Sequence, residues 1–235
     1  MALSPEAAAQ LEQGVSRREK REPLPYIVGE AEFYSLRFYV SPAVLVPRPE
    51  TEHLLEAALV RAKAMGARTA ADVGTGSGVL ATLLARELPE LRVLATDVSP
   101  GALAIAHRNA QRHGLRFRVH LICCDLLRAI GSPLDCVVAN PPYIRRDEFE
   151  ELEPEVRDYE PRLALNGGTD GLGIIQRLAL GLGGHLNKGG FAALEVGAGQ
   201  AEAVAKLLAS NGLSNIEVLP DYAGIARVVI GWHEG

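Results

Sequence analysis

Asn140-Pro141-Pro142-Tyr143 follows directly on the apolar run Leu134-Asp135-Cys136-Val137-Val138-Ala139. Two consecutive prolines fix φ and remove two N–H donors, so the carbonyls are held rigidly outside any helix. The Asn140 side-chain oxygen and the Pro141 backbone carbonyl then form a preorganised pair of acceptors. Such a pair suits a planar nitrogen, which donates hydrogens readily but attacks carbon poorly because its lone pair is delocalised. Each acceptor takes one N–H, the remaining lobe is aimed at a methyl group, and positive charge developing on nitrogen is stabilised. Tyr143 offers an aromatic face to a flat group. A tight loop after a strand explains a proline but not this tetrapeptide. Taken alone, the tetrapeptide leaves nucleobase amines and side-chain amides equally open.

A second group supplies a partner for that chemistry. Ala70-Ala71-Asp72-Val73-Gly74-Thr75-Gly76-Ser77-Gly78 places a glycine-rich turn between an apolar run and a helix-like segment. Glycines there permit positive φ and close approach of the backbone to a ligand. The spacing is GxGxG, and Val79 stands where a dinucleotide fingerprint has its third glycine. The next apolar run, Leu91 to Thr96, ends at Asp97, where a carboxylate accepts from both ribose hydroxyls of an adenosine. The third ends in Cys124-Asp125-Leu126. Asp125 is placed to accept from an exocyclic amine, and Leu126 to bound an adenine ring. Asp72 is assigned to orienting the turn or a ligand's ammonium. Asp97 as a helix N-cap before Ser99-Pro100, and Asp125 as a loop solubiliser, are the plainer readings. In combination, Gly74, Thr75, Gly76, Ser77, Gly78, Asp97, Asp125, Leu126 and Asn140 point to an adenosine-containing cofactor.

These residues need a scaffold that brings strand ends together. Strands are expected near 69–73, 91–97, 117–123, 134–139, 190–196, 214–219 and 225–231, with helices near 78–88, 99–113, 171–186 and 200–211. Strands separated by helix-length segments indicate a doubly wound, seven-stranded, mostly parallel sheet. Only Pro220 to Gly224 separates the last two strands, too little for a crossover, so the last strand is antiparallel. Gly181, Gly183 and Gly184 weaken the second half of the 171–186 helix. Ahead of this domain we expect a helix over 5–20 with a solvated cationic end at Arg17-Arg18-Glu19-Lys20-Arg21, a hairpin from Tyr26 to Ser41, and a helix from about Glu50 to Ala64.

Composition narrows the function classes. The 235-residue chain has 48% hydrophobic residues and net charge −5, with no apolar run long enough to span a bilayer. Its N-terminus lacks a signal-peptide apolar core, and a cytoplasmic location is expected. Cys123, Cys124 and Cys136 lie in apolar runs without CxxC spacing and are taken as buried small hydrophobes; no metal site is expected. Between Asp147 and Glu160, eight acidic residues face one Arg157. With the net charge, this argues against a nucleic-acid substrate, whose affinity rests on Lys and Arg.

The assembled residues resemble the peptide chain release factor N5-glutamine methyltransferases, the HemK/PrmC family. Beyond the two motifs, Pro23-Leu24-Pro25-Tyr26-Ile27-Val28-Gly29 and Glu32-Phe33-Tyr34-Ser35-Leu36 are similar to that family's linker hairpin, and Leu45-Val46-Pro47-Arg48-Pro49-Glu50-Thr51-Glu52 to the segment that follows. Glu160-Pro161-Arg162-Leu163-Ala164-Leu165, Gly167-Gly168 and Asp170-Gly171-Leu172 resemble its loop after the tetrapeptide, and Leu194-Glu195-Val196-Gly197 and Arg227-Val228-Val229 its last strands. The resemblance implies a class I S-adenosylmethionine-dependent methyltransferase fold. It implies S-adenosyl-L-methionine contacts at Gly74 to Gly78, Asp97 and Asp125-Leu126, and contacts to the glutamine of a release factor's Gly-Gly-Gln loop at Asn140 to Tyr143. Leu126 departs from the family, where an aromatic residue is common.

Family members usually carry a helical bundle ahead of the hairpin, and here only about 22 residues precede it. We expect a shortened N-terminal domain over residues 1–45, a catalytic domain over 46–235, and a monomer. The competing readings are a glutamine on a ribosomal protein, an exocyclic amine of a nucleic-acid base, and a cofactor-binding scaffold without catalysis.

Overall fold

The structure, a computed structural model, describes residues 4–235. Helix α1 (Pro5–Glu19) is capped by Ser4, whose side chain accepts from the Ala7 N–H. A short α2 (Leu24–Val28) ends at Gly29 in the left-handed region and leads into the hairpin β1 (Glu30–Phe33) and β2 (Leu36–Tyr39). The predicted hairpin therefore begins later than Tyr26, because Pro23 and Pro25 start a helical turn. Phe33 and Phe38 are buried in the main core with Leu54 and Leu55 of α3 (Thr51–Met65), so the hairpin is seated on the body of the protein.

From there strand and helix alternate: β3 (Thr69–Val73), α4 (Val79–Glu87), β4 (Arg92–Asp97), α5 (Pro100–Arg112), β5 (Val119–Cys123) and β6 (Leu134–Ala139). An irregular segment follows, with β7 (Ile144–Arg145), a 3-10 turn over 146–151, α6 (Pro154–Tyr159), α7 (Arg162–Leu165) and β8 (Asn166–Gly168). The chain closes with α8 (Gly173–His185), β9 (Leu186–Glu195), α9 (Ala201–Ser210), β10 (Ser214–Pro220) and β11 (Ala226–Trp232). Helix α8 persists through its three late glycines because Leu178, Ala179 and Leu182 are buried against the sheet, and that burial outweighs the propensity cost.

The main sheet has the order β10-β11-β9-β6-β3-β4-β5. β3, β4, β5, β6 and β9 pair in parallel, whereas β11 is antiparallel to both of its neighbours. The sheet is thus the expected one, with its last strand reversed. Apolar side chains on its two faces form separate clusters, one under α3 and α4 and the other under α8 and α9. Cys136 is buried in the first cluster, but Cys124 is partly exposed and Cys123 exposed, contrary to expectation. β5 is an edge strand, and Cys123 ends it where no neighbour covers the outer side. No helix among the described residues is long and apolar enough to cross a membrane.

One fully buried side chain ties hairpin, helix and glycine turn together. Asn109 of α5 donates to the carbonyls of Tyr39 (3.0 Å) and Ser77 (2.8 Å), and its oxygen accepts from the Tyr39 N–H at 2.7 Å. Asn109→Leu is expected to destabilise the protein by about 3 kcal/mol in urea unfolding, since it strands buried backbone groups that cost roughly 1–3 kcal/mol each. A loss under about 0.5 kcal/mol would show that the turn is held elsewhere.

Candidate active site

The parallel registers place the chemical groups in one row. Val73 is level with Thr96 on one side and with Ala139 on the other, and Ala139 is level with Leu194. The next residue of each strand, Asp97, Gly74, Asn140 and Glu195, therefore lies at the same carboxyl-terminal edge of the sheet. That edge, where β3 is followed in the chain by β4 on one side and later by β6 on the other, is where open α/β sheets bind ligands. A cavity of about 290 Å³ opens there, lined by Asp72, Gly74 to Ser77, Asp97, Asp125, Leu126, Asn140 and Pro142, with Thr51 and Arg48 from the other side. A larger hollow of about 610 Å³ behind the hairpin, lined by Glu32, Tyr34, Arg86 and Glu87 among others, contains none of these groups.

The glycine turn is held from several sides. Gly74 and Thr75 both donate to the Thr96 carbonyl at 2.9 Å, and Gly78 donates to that of Thr75. Gly74, Gly76 and Gly78 have φ of 72°, 55° and 78°, a region that side chains disfavour. A Cβ at Gly74 would meet nothing within 4 Å and one at Gly76 only a carbonyl at 3.9 Å, so the open space over the turn belongs to the cavity. At Gly78 the reason is internal: a Cβ would lie 2.9 Å from that of Ala106.

Asp97 accepts from the Gly76 N–H at 3.0 Å and the Ser99 N–H at 2.8 Å. It is not the helix cap, because Ser99 caps α5 by accepting from Ala102. Each Asp97 oxygen keeps a lone pair for the cavity. Asp125 has a partner that spacing did not announce, the guanidinium of Arg177 on α8. Leu126 has φ 52° and stands at the wall, partly buried against the second cluster. Asp72 is 1% exposed; its Oδ2 accepts from Thr75 Oγ1 (2.6 Å) and Ala81 N (3.0 Å), while Oδ1 has no partner. Burial pushes its carboxyl up to about 6, against the pull of those two donors.

Asn140 and Pro142 face the cavity, whereas Pro141 is buried and the Tyr143 ring is packed over Gly197, where a Cβ would come within 3.1 Å of it. Tyr143 thus braces the loop. Its carbonyl accepts from Gln200 Nε2 at 2.9 Å, and the Gln200 oxygen accepts from the Gly197 N–H at 2.9 Å. A side chain at Gly171 would strike that carbonyl and the Gln200 amide. Asn140 Nδ2 donates to Thr51 Oγ1 at 3.0 Å. Beside them Glu195 is 1% exposed, with Thr51 and Asn140 close enough to favour its charged form and with Oε2 unpartnered. Burial pushes its carboxyl up to about 7, with Glu50 adding to the rise and Arg227 opposing it.

The acidic segment 147–160 forms a strap along one side of the opening. Glu155 binds Arg18 (2.9 Å) and Arg21 (2.6 Å), Tyr159 donates to the Lys20 carbonyl, and buried Glu160 binds Arg48 at 2.6 Å. The cationic end of α1 is solvent-exposed, as expected, and Arg18 and Arg21 in addition anchor the strap. Thr51, Glu195, Arg177 and Gln200 were not singled out by spacing. Glu195 alone carried a signal, a lone carboxylate ending the otherwise apolar run Phe191 to Leu194.

A carboxylate whose folded pKa lies above its unfolded value destabilises the fold as pH rises between the two, about 4.5 and 7 for Glu195. Glu195→Gln removes that cost. Its melting temperature is expected to exceed that of the unsubstituted protein by roughly 5 °C at pH 8 and by much less at pH 5; equal gains at both would refute the burial argument.

Residues 51–153 match the family described as "Methyltransferase small domain". The chain is 45% identical over 230 residues to a release factor glutamine methyltransferase of Geobacter sulfurreducens, covering 97% of this chain and 80% of that protein. It is 47% identical over 232 residues to one of Moorella thermoacetica, covering 98% and 82%. Among solved structures, a T. Thermophilus 16S rRNA methyltransferase (RsmC) in complex with AdoMet and guanosine superposes with TM-score 0.64 at 19% identity, over 87% of this chain and 49% of that one, a likeness of fold. With that sheet, that glycine turn and identity of this extent, the chain belongs to the release factor glutamine methyltransferase family.

Proposed function

We propose that this enzyme transfers a methyl group from S-adenosyl-L-methionine to the side-chain amide nitrogen of the glutamine in the Gly-Gly-Gln loop of peptide chain release factors. The observation that carries the chemistry is the Asn140 amide, whose nitrogen is engaged by Thr51 at 3.0 Å while the residue stands at the cavity beside the glycine turn.

The cavity suits the cofactor. The space over Gly74 and Gly76 admits a ligand against the backbone, and the unpartnered Asp72 Oδ1 in the cavity floor calls for a cation. Asp97 would hold the ribose hydroxyls, Asp125 and Leu126 the adenine, and the turn from Gly74 to Gly78 the methionine portion. When bound, S-adenosylmethionine supplies an electrophilic methyl on a cationic sulfur. The chain's own part is to prepare the nucleophile. Asn140 Oδ1 and the Pro141 carbonyl accept the two amide N–H groups, which fixes the nitrogen's orientation and stabilises the positive charge it gains. No general base is needed before transfer; the methylated nitrogen would give up one N–H proton to solvent afterwards, leaving S-adenosyl-L-homocysteine as the other product. Tyr143 and Gln200 keep the tetrapeptide in place.

We further propose that α1, α2 and the hairpin, within residues 1–45, serve as a platform for the protein substrate, and that the enzyme acts as a cytoplasmic monomer. Labelled S-adenosylmethionine offered with release factors, ribosomal proteins or RNA, followed by mass spectrometry, tests the substrate. Label confined to RNA or ribosomal protein would overturn the reading.

Two predictions follow from the site. Asn140→Ala is expected to lower kcat on release factor by roughly 100-fold or more while the cofactor Kd measured by calorimetry stays within about threefold. Undiminished turnover would remove Asn140 from its role. For Asp72, a cation beside its carboxylate favours ionisation, so the pKa of about 6 in the free protein falls on binding. Cofactor affinity is then full above pH 6 and weakens below it, by about tenfold at pH 5 relative to pH 7.5. Asp72→Asn should bind more weakly with no such pH dependence, and a pH-independent Kd in the unsubstituted protein would contradict the assignment.

A further inference from the structure

Behind Asn140 lies a buried carboxylate that the chemistry above does not use. Glu195 ends β9 level with Asn140, 1% exposed, and among the described residues no cation pairs with it. The nearest candidate, Arg227, is committed to Asp221 at 3.2 Å. A buried charge without a counterion is costly, and an apolar residue would continue the strand at no such cost. Its neighbours are Thr51, which opens α3 and is itself buried, and the Asn140 amide.

We propose that Thr51 and Glu195 are positioning residues that consume both N–H groups of the Asn140 amide, so that its oxygen rather than its nitrogen is presented to the substrate. The two ends of an asparagine amide are nearly equal in shape, and a half-turn of the side chain exchanges acceptor for donor. Presented the wrong way, Asn140 would oppose the substrate's own N–H groups and the positive charge that grows on its nitrogen. Thr51 Oγ1 accepts one Nδ2 hydrogen at 3.0 Å. Glu195, buried at the end of β9 beside these two residues, would take the Thr51 hydroxyl and the remaining Nδ2 hydrogen. Once ionised, above about pH 7, the carboxylate only accepts, and the sense of the whole chain is then fixed from Glu195 outward. A glutamine at 195 offers an NH2 group as well, and the chain loses its direction.

The proposal rests on Asn140 being the acceptor for the substrate nitrogen. The experiment measures Thr51→Val, Thr51→Ser and Glu195→Gln on whichever acceptor the unsubstituted enzyme methylates, so a wrong substrate assignment changes the acceptor and not the test. Thr51→Val and Glu195→Gln are expected to lose about tenfold or more in kcat, with the KM for the acceptor and the cofactor Kd within about threefold. Thr51→Ser, which keeps the hydroxyl, should recover most of the loss. In 15N–1H spectra, the Asn140 side-chain amide, identified by its absence in Asn140→Ala, should show two protons protected from exchange in the unsubstituted protein and lose that protection in Glu195→Gln. Unchanged kcat in both variants, equal losses in Thr51→Val and Thr51→Ser, or amide signals indifferent to residue 195 would each overturn the proposal.

Discussion

The parallel pairing of β3 with β4 on one side and β6 on the other is the constraint on which the site depends. Parallel register aligns the strands residue by residue, and it is continued through β9 by the pairing of Ala139 with Leu194. The ladders among β3, β4, β6 and β9 end at that row, although Asp97 and Glu195 still pair outward with β5 and β11, and the side chains of the next residues are free to bind something else. Three of them are polar and the fourth is a glycine, so the cofactor turn, the ribose acceptor, the amide and its buried carboxylate come within reach of one another. Slippage of β6 by one residue would turn Asn140 to the other face of the sheet and separate it from Gly74.

This arrangement carries a stability cost that packing elsewhere must offset. Asp72 and Glu195 are both buried, and both have a carboxylate oxygen without a partner. Burial raises the pKa of each, which is the sign of a charged form held where the fold does not favour it. The two differ in what relieves them. Asp72 lines the cavity, so a bound cation can satisfy its free oxygen. Glu195 is not among the cavity-lining residues and lies behind Thr51 and Asn140, which are. One carboxylate is therefore suited to holding a ligand and the other to holding a side chain.

Much of the fold was legible in the sequence because the signals were local. Strand length, the turns between strands and the short connection at 220–224 decide the order of elements and the reversed last strand without long-range information. Asn140 and Gly74 were legible for the same reason, since Pro-Pro and GxGxG constrain the backbone where they stand. What was not legible depends on contacts across the chain. Thr51 is 89 positions from Asn140, and Arg177 is 52 from Asp125. Tyr143 was expected to face a flat substrate, and instead its ring packs over Gly197, a neighbour brought in by β9. Cys123 reads as a buried strand residue until the sheet order shows that its strand has no outer neighbour.

Charge illustrates the same limit with a consequence for substrate choice. In the sequence, the run from Asp147 to Glu160 is an acidic surface that repels a phosphate backbone. In the structure, Asp147, Glu153, Glu155, Asp158 and Glu160 are each bound to an arginine of the chain itself, and Glu148 accepts from the Arg145 N–H. Glu153, Glu155 and Glu160 fasten the strap to Arg18 and Arg21 at the end of α1 and to Arg48, and the others are neutralised locally by Arg145 and Arg157. Of the eight, Glu150 and Glu151 alone are left without an ion pair or hydrogen bond among the described residues, so the run is a weaker barrier to RNA than its number of carboxylates implies. The arginine pairs matter instead by holding the strap, α1 and Arg48 together as one surface.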